Sequence, residues 1–393
     1  MAIRSLKDID FAGKRVLCRV DFNVTRDKKT GAITDDTRIV AALPTIKELT
    51  SKGAKVILCS HFGRPKGRDA ALSLKPVAEN LAKHLGAPVA FADDCVGAPA
   101  QAAVAALKPG GVLLLENLRY HAGEEADDAG FAKELAALAD VYVNDAFGAA
   151  HRAHASVHAV AKLFNVRAAG LLMIKEVEYL GKALKAPEHP FVVILGGAKV
   201  SDKIQVIHSL LPLCDTMLIG GAMAYTFLRA QGLPTGKSLV EAEQIETAKN
   251  LLAEAKKQGK QFLLPSDHAV AAKIEPGVAS SIVAKDKIPE DQMGLDIGPE
   301  TAKAYAAALA SAKLIVWNGP LGVFEVPPFN KGTIAVAEAV ANSKATSIVG
   351  GGESVAAVKK AGVGAKITHI STGGGASLEF LEGQVLPGVA ALE

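Results

Sequence analysis

The feature that most restricts the fold is an alternation, along the whole chain, of short apolar runs with longer segments of helical period. In the first half the runs read RVLCRV, KVILCS, GVLLLEN and DVYVND, and in the second half FVVIL, TMLI, LIVW, TSIV and ITHI. The segments between them are rich in Ala, Leu, Lys and Glu. This alternation is typical of βα units, in which helices connect parallel strands. The sequence therefore predicts the α/β class.

The length of the chain predicts two domains. Its 393 residues exceed the roughly 250–300 residues at which single hydrophobic cores stop growing. A long helical stretch, AAGLLMIKEVEYLGKALKAP, runs from Ala168 to Pro187 between the two sets of strands. We expect this stretch to act as a spacer between the domains.

Charge and cysteine content narrow the classes of partner and the compartment. A net charge of +3 gives no overall field that would favour nucleic acid or an anionic membrane. No apolar leader region and no apolar stretch of membrane-spanning length is evident, so we expect a cytoplasmic protein. The cysteines show neither CxxC nor Cys/His zinc spacing, and we expect reduced core residues at Cys18, Cys59, Cys95 and Cys214.

The residues that follow the apolar runs differ between the two halves. Ligands of open parallel sheets bind beyond the carboxyl ends of the strands, so these positions are candidates for a site. The first half has polar side chains there, several of them cationic: Asp21, Asn23, His61, Arg64, Arg119, Asp145 and Arg152. The second half has mostly glycine there: Gly196-Gly197, Gly220-Gly221, Asn318-Gly319, Gly350 to Gly352 and Gly373 to Gly375.

This contrast predicts two kinds of ligand. Arginine recognises phosphate and carboxylate through paired hydrogen bonds, which suits a small anion. Glycine turns let backbone N–H groups and helix N-termini approach a polyphosphate, and Lys199 follows one such glycine pair. A single loop arginine is usually only a solvated surface charge. The first half has five arginines from distant parts of the chain, and a parallel sheet would bring most of them to one edge: Arg19, Arg38, Arg64, Arg119 and Arg152.

Two other functions share the α/β class. A nicotinamide dehydrogenase would need a GxGxxG turn after the first strand of a half, and neither half has one. A non-catalytic nucleotide-regulated protein would keep the glycine half and lose the arginines.

Two other motifs are absent. The sequence GLPTGKS ends like a phosphate-binding P-loop, but Gln231 stands where its first glycine is required. The absence of a Ser-His-Asp order or a nucleophile elbow is compatible with phosphoryl transfer.

The motifs that carry these residues resemble one family along nearly the whole chain. RVDFNV, SHFGRP, LLENLRYH, NDAFGAAHRAH, GGAKVSDKI, GLDIGPE, VWNGPLGVFE, GGGES and STGGGASLEFLEG occur in the order typical of phosphoglycerate kinases. The resemblance implies reversible phosphoryl transfer from 1,3-bisphosphoglycerate to ADP, which gives 3-phosphoglycerate and ATP in glycolysis and gluconeogenesis. It also implies a magnesium-dependent monomer.

The resemblance further implies two Rossmann-like three-layer domains with mainly parallel sheets, joined by a hinge helix. We expect residues 1–168 to bind 3-phosphoglycerate, residues 169–190 to form the inter-domain helix and residues 191–377 to bind ATP or ADP. Residues 378–393 should return to the first domain. The same resemblance implies hinge-bending during the reaction, and it implies neither nucleic-acid nor membrane binding.

Residue roles are also implied by the resemblance, motif by motif. The residues expected to hold 3-phosphoglycerate are Asp21, Asn23, Arg38, His61, Arg64, Arg119 and Arg152. Those expected to hold the nucleotide are Gly197, Lys199, Lys203, Gly294, Asn318, Glu325, Gly351, Gly352, Glu353 and Ser354. Glu353 replaces the family's usual Asp and is expected to reach Mg²⁺. The groups expected to stabilise the transition state are Arg38, Lys199, Gly352 and Gly374.

Overall fold

The computed structural model describes residues 3–27 and 29–393, which form two compact units. The first unit contains the chain up to Glu178 together with Val385–Glu393, and the second contains Tyr179–Gln384. Residues 378–384, which we expected in the returning segment, group with the second unit. Within the described ranges, no helix is long and apolar enough to cross a membrane.

A parallel sheet organises the first unit. The strands of this unit are β1 (Arg15–Arg19), β2 (Thr25–Arg26), β3 (Ile33–Asp35), β4 (Lys55–Cys59), β5 (Val89–Ala92), β6 (Val112–Leu115), β7 (Val141–Asn144) and β8 (Arg167–Ala169). The sheet has the order β5-β6-β4-β1-β7-β8, and β2 and β3 form a separate antiparallel pair. Successive residues of β1 and β4 are buried on both faces of the sheet, which explains their continuous apolar runs.

Helices cover this sheet. They are α1 (Thr37–Ser51), α2 (Lys75–Leu85), α3 (Gly97–Ala106), α4 (Ala122–Glu125), α5 (Ala129–Ala136) and the first part of α6 (Leu171–Lys185). Ile39 and Leu49 of α1 and Leu81 of α2 share one core cluster with Val16 and Leu58 of the sheet. The division between the units falls inside α6, in the stretch that we predicted to be a spacer helix.

The second unit is built on another parallel sheet. Its strands are β9 (Phe191–Leu195), β10 (Thr216–Ile219), β11 (Gln261–Leu263), β12 (Asp267–Ala271), β13 (Ser281–Ala284), β14 (Met293–Ile297), β15 (Leu314–Asn318), β16 (Thr346–Gly350) and β17 (His369–Ile370). The parallel sheet has the order β11-β10-β9-β15-β16-β17. Numbered along the chain, this is the order 3-2-1-4-5-6 of doubly wound nucleotide-binding folds.

The remaining helices are α7 (Ile204–Leu210), α8 (Met223–Ala230), α9 (Ile245–Lys257), α10 (Pro299–Ala310), α11 (Lys331–Asn342), α12 (Gly352–Lys360), α13 (Gly375–Leu381) and α14 (Pro387–Ala390). Of these, α14 belongs to the first unit. Tyr305 of α10 and Val336 of α11 pack with Trp317 of β15 in one buried cluster. The α/β class with mainly parallel sheets is confirmed.

A small antiparallel sheet in the second unit was not anticipated from the sequence. Its order is β13-β12-β14, and β12 is buried along its whole length. The runs DHAVA and MGLDI, which form β12 and β14, are short and contain acidic or imidazole side chains. Periodicity alone therefore gave no clear strand signal there.

Candidate active site

In the first unit the candidate anion site is built around β1, an internal strand with a neighbouring strand on each side. β1 pairs with β4 on one side and with β7 on the other, all in parallel. The carboxyl ends of these strands therefore lie at one edge. Asp21 follows β1, His61 follows β4 and Asp145 follows β7.

Arg38, near the start of α1, forms an ion pair with Asp21. Its Nη1 donates to Oδ2 of Asp21 at 2.5 Å, and the arginine side chain remains 32% exposed while that of Asp21 is 9% exposed. Burial would raise the pKa of Asp21, but Arg38 and the other cationic neighbours hold it below its usual value. The buried carboxylate thus anchors a guanidinium whose remaining N–H groups can meet a ligand.

His61 is buried beside the same carboxylate and is held neutral. Burial lowers its pKa well below the usual value; Asp21 opposes this, and the nearby Arg19, Arg119 and Arg38 lower the pKa further. Its Nδ1 lies 3.1 Å from Nη2 of Arg19. Because arginine can only donate, Nδ1 is the acceptor and Nε2 keeps the ring proton. His61 is therefore a neutral hydrogen-bond donor.

The loop after β4 connects several of the remaining predicted residues. Asn23 accepts a hydrogen bond from the backbone N–H of Gly63 at 3.0 Å. The side chain of Arg119 donates to the Gly63 carbonyl at 2.6 Å. Arg64, next in the chain, is exposed and has no ion pair within the described ranges. Arg152 is also exposed, and its charge acts on Arg119. These contacts connect Asn23 and Arg119 through Gly63, and Arg152 lies near Arg119.

Arg19 has a different role from the one we predicted. It is fully buried, and its side chain donates to Ser156 Oγ at 2.9 Å and to the Val20 carbonyl at 2.5 Å. Ser156 in turn donates to Glu124 at 2.6 Å. Arg19 therefore supports neighbouring residues of the site through buried hydrogen bonds and is not exposed to a ligand. Glu124 and Ser156 were missed because neither directly follows a strand.

Asp145 binds the start of α6 instead of the anion cluster. Its Oδ1 accepts hydrogen bonds from the backbone N–H groups of Leu172 at 2.9 Å and Met173 at 3.2 Å. The hydroxyl of Thr45 accepts from Leu171 at 2.8 Å. These contacts satisfy N–H groups that a helix start leaves unpaired. Burial raises the pKa of Asp145 to about 7, and its hydrogen bonds oppose this shift.

In the second unit the glycine turns after β9, β10 and β15 pack against one another. The N–H of Gly196 donates to the Asn318 carbonyl at 3.0 Å, and that of Gly221 donates to the Leu321 carbonyl at 2.9 Å. A Cβ at Gly196 would lie 2.0 Å from the carbonyl oxygen of Pro320. We predicted that these glycines let the backbone approach a nucleotide. The contacts show that Gly196 is needed for a different reason, because a side chain there would collide with the loop after β15.

Other glycines leave backbone open. At Gly352, the first residue of α12, and at Gly374, which precedes α13, an added Cβ would meet no atom within 4 Å. Gly351, just before α12, has φ of +89°, a backbone conformation that residues other than glycine rarely adopt. The first N–H groups of a helix lack partners within the helix. These turns can therefore receive a phosphate.

Polar side chains connect these turns to β15. Lys203 donates through Nζ to Oδ1 of Asn318. Burial lowers the pKa of Lys203, while Asp202, Glu353 and Glu382 raise it. The N–H of Gly319 donates to Ser354 Oγ at 2.6 Å. Lys203 thus binds the side chain of Asn318, and Ser354 binds the backbone of the next residue, so this group of polar side chains lies at the end of β15.

A cavity of about 310 Å³ adjoins this group. Four of the predicted nucleotide residues line it: Gly197, Gly294, Glu325 and Glu353. Tyr225 of α8 also lines it and was missed, because the strand-end pattern does not extend into a helix. Lys199 is exposed in the turn after β9 and does not line this cavity.

Glu353 offers the chemistry that Mg²⁺ requires. Its carboxylate is exposed, stands in the first turn of α12 and lines the cavity together with Glu325. Mg²⁺ prefers oxygen ligands and usually takes one or two protein carboxylates together with phosphate oxygens. The residues present therefore fit this ion.

A larger cavity of about 680 Å³ lies elsewhere in the second unit, between β13, α10 and α11. None of the residues predicted to bind the nucleotide lines it. Size alone therefore does not identify the nucleotide site, and the cavity beside the glycine turns is the better candidate.

Comparison with known proteins gives one consistent result. A family model described as phosphoglycerate kinase matches residues 6–384. Phosphoglycerate kinases of Solibacter usitatus and Moorella thermoacetica are 58% and 59% identical to this chain, covering all of it and 100% and 99% of the relative. The solved phosphoglycerate kinase of Coxiella burnetii superposes with a TM-score of 0.91 at 41% identity, covering 100% of this chain and 99% of that one.

Proposed function

Since the chain belongs to the phosphoglycerate kinase family, which transfers a phosphoryl group reversibly from 1,3-bisphosphoglycerate to ADP, we propose that its first unit binds the phosphoglycerate and its second the nucleotide. The observation that supports this proposal most is the convergence of Arg38 and His61 on the buried carboxylate of Asp21, with Arg119 acting on His61. The enzyme is a phosphotransferase with a carboxyl group as acceptor.

The first unit suits a ligand that bears both a phosphate and a carboxylate. Arg38, Arg64, Arg119 and Arg152 supply guanidinium groups, which bind such anions through paired hydrogen bonds. Asn23 and neutral His61 supply uncharged polar groups. Asp21 orients Arg38 and occupies only one of its donors. The four arginines give this cluster an excess of positive charge over Asp21.

The second unit suits a nucleotide. Gly197, Gly294 and Glu325 line the cavity, which would hold the nucleoside portion. The open turns at Gly351, Gly352 and Gly374, together with Lys199, Lys203, Asn318 and Ser354, would hold the phosphates. The N-terminus of α12 adds a partial positive charge that favours phosphate.

Transfer needs little covalent chemistry from the protein. Negative charge spreads over the equatorial oxygens of the transferring group, so fixed positive groups lower the barrier. Arg38 and Lys199 act as these groups, and the amides of Gly352 and Gly374 add fixed dipoles. No general base is required, because the accepting atom is already a carboxylate or phosphate oxygen.

Mg²⁺ would be held by Glu353 together with the nucleotide phosphates. A bound magnesium ion neutralises phosphate charge and orients the transferring group. Within this chain, Glu353 would place the ion at the start of α12. Burial lowers the pKa of Lys203 and Glu353 opposes this shift, so Lys203 and Glu353 interact electrostatically and would act on the same phosphates.

Three further properties belong to the proposal. We expect the enzyme to act as a monomer in the cytoplasm. We also expect hinge-bending, because the proposed anion and nucleotide residues belong to different units and the reacting atoms must come within roughly 3–3.5 Å of each other.

The direct test is a coupled assay for ATP formed from ADP and 1,3-bisphosphoglycerate, combined with calorimetric titration of each ligand. Arg64→Ala should weaken 3-phosphoglycerate binding by about 10-fold and leave Mg-ADP binding unchanged, since a charged hydrogen bond contributes about 1.5–3 kcal/mol. Lys199→Ala should do the reverse. Both side chains are exposed and have no ion pair in the described ranges, so neither change should unfold the protein.

Lys162→Ala, an exposed lysine in the first unit outside the candidate site, is the control and should bind both ligands normally. Equal loss of both ligands in Arg64→Ala would contradict the division of labour between the units. A chain that forms no ATP would contradict the reaction itself.

A further inference from the structure

Three side chains of types that bind metal ions in other proteins meet at the edge of the sheet in the first unit. β5 and β6 pair in parallel, with Ala92 opposite Leu115. Asp94 and Cys95 follow the end of β5. His121 follows the 3-10 turn Leu118–Tyr120 after β6. Adjacent parallel strands therefore bring together residues that are far apart in sequence, and their spacing matches no zinc motif.

The donor atoms of this cluster are close together. A carboxylate oxygen of Asp94, Sγ of Cys95 and a ring nitrogen of His121 all lie within 4.8 Å of one another. Nε2 of His121 is 2.7 Å from Oδ1 of Asp94. Cys95 is fully buried and is a free thiol. The side chains of His121 and Asp94 are 33% and 28% exposed, so an ion can enter from their side.

Neighbouring groups hold these side chains in position. The backbone N–H of Cys95 donates to Oδ1 of Asp94 at 2.7 Å. Arg68 lies 3.7 Å from Oδ2, the other oxygen of the same carboxylate. The ring of His121 stacks on Phe131 with centroids 5.2 Å apart. The backbone and ring contacts orient the side chains as contacts around metal ligands do, whereas the positive charge of Arg68 would oppose a bound cation.

We propose that Asp94, Cys95 and His121 form a binding site for a divalent transition-metal ion of the Zn²⁺ type, with water as the fourth ligand. Sulfur, imidazole nitrogen and carboxylate oxygen are the ligands that Zn²⁺ uses, and a thiolate selects against Mg²⁺. Two negative ligands balance the charge of the ion. As the metal–sulfur bond forms, the thiol proton of Cys95 leaves to solvent.

The site is separate from the proposed magnesium position, since Glu353 belongs to the second unit. It adjoins the anion cluster through one short turn: Arg119 lies within Leu118–Tyr120, and His121 follows directly. An ion bound to His121 would fix the turn that positions Arg119 and would not contact the phosphoglycerate. We therefore expect a stabilising role for the ion and no chemical step.

The test uses the full chain without nucleotide, so that phosphate-bound metal does not interfere. Calorimetry should find one Zn²⁺ site per chain, and Co²⁺ should give a thiolate-to-metal absorption band. Cys95→Ser should abolish the band and weaken Zn²⁺ binding by more than the roughly 10–100-fold that loss of a supporting contact costs. His121→Gln should weaken it similarly. Circular dichroism should show both variants folded.

Matched controls come from the same chain. His158 and Asp127 form a pair of the same type at 2.6 Å and do not belong to the three-residue cluster, so His158→Gln should leave Zn²⁺ affinity unchanged. Cys214 is buried in the second unit, and Cys214→Ser should keep the cobalt band. Arg68→Ala removes a nearby cation and should tighten binding. A band that survives Cys95→Ser, or unchanged affinity in that variant, would overturn the proposal.

Discussion

At the scale of single residues, the proposed catalytic role of Arg38 depends on its ion pair with a buried carboxylate. Its guanidinium is held by Asp21 and keeps free donors. Lysine would retain the charge but lose the planar fork. We expect Arg38→Lys to lower kcat by about 10-fold or more and to leave Mg-ADP affinity nearly unchanged. Steady-state kinetics and calorimetry measure these two quantities.

The control for Arg38 lies on the same helix. Lys47 is an exposed cation of α1, and Lys47→Ala should leave both kcat and ligand affinity unchanged. If Arg38→Lys keeps a normal kcat, the guanidinium plays no part in stabilising the transferring group.

Glu353 is the second residue whose role can be tested by shape and charge separately. If it holds Mg²⁺, Glu353→Ala should weaken Mg-ADP binding by about 10-fold or more, and Glu353→Asp should be nearly silent, because either carboxylate can reach the ion directly or through water. Binding of 3-phosphoglycerate should survive both changes. Calorimetry with and without magnesium measures the difference.

A simpler role for Glu353 is to favour the N-terminus of α12 electrostatically. Glu300 occupies the corresponding first turn of α10, so Glu300→Ala reports that effect alone and should not alter Mg-ADP binding. Unchanged Mg-ADP affinity in Glu353→Ala would assign Glu353 to the helix and not to the metal.

The sequence predicted most of the residues in these clusters because strand ends share one edge of a parallel sheet. It could not predict which way a side chain points. Arg19 is the last residue of β1 and is turned inward to Ser156, whereas Arg38 comes from a helix and faces the site. The contacts of Glu124 with Ser156 and of Cys95 with His121 could not be predicted, because they depend on three-dimensional packing between distant segments.

At the scale of elements, the start of α6 depends on one titratable cap. Burial raises the pKa of Asp145 to about 7, above the roughly 3.9 of an unfolded chain. The folded state therefore holds this proton over a pH range in which the unfolded state has lost it. The stability that the protonated group contributes is complete below about pH 4 and is lost as the pH rises through about 7.

We expect Asp145→Asn, which keeps an acceptor for the helix start, to remove this dependence. Relative to wild type, the variant should be more stable at pH 8 than at pH 5 by about 1 kcal/mol or more. Denaturant unfolding of the first unit across pH measures it. Asp140 provides a control of opposite sign, because its hydrogen bond from Arg15 lowers its pKa. In Asp140→Asn the loss of stability should be larger at neutral than at acidic pH.

Element types were largely predictable and their purposes were not. The continuous apolar runs identified the buried parallel strands, and glycines marked the turns after them. The antiparallel sheet of β12 to β14 was missed, because its strands contain His268 and Asp296 in buried positions. The turn at Gly196 serves loop packing, while the turn at Gly352 leaves an open amide. Composition cannot distinguish these two uses of glycine.

At the scale of the whole molecule, the two proposed ligand sites belong to different units. Transfer requires proximity of the reacting atoms and exclusion of water. We expect the radius of gyration, measured by small-angle scattering, to fall when both 3-phosphoglycerate and Mg-ADP are bound and to change less with either alone. An identical radius in all four states would contradict hinge closure.

The segment Val385–Glu393 completes the first unit. The N–H of Gly388 donates to the Ala150 carbonyl at 2.8 Å, and Asn144 donates to the Gly388 carbonyl at 3.1 Å. Leu386 and Leu392 are buried. Deleting residues 385–393 should destabilise the first unit by about 3 kcal/mol or more, since each buried leucine contributes about 1.5–3 kcal/mol.

Calorimetric unfolding should show this loss in the first unit only, with Mg-ADP affinity retained. Gly388→Ala offers a milder change, because its Cβ would lie 2.9 Å from Cα of Ala150. An unchanged unfolding transition after deletion would show that the segment adds no stability.

The same segment gives the two units different histories during translation. A ribosome makes residues 385–393 only after residues 179–384, so the unit that emerges first receives its last piece at the end. Until then the surface that will cover Leu386 and Leu392 is exposed on the nascent chain, and such surfaces are the ones that chaperones recognise. The second unit needs no later segment. The first unit, which is begun first, can therefore be completed only after the whole second unit has been synthesised.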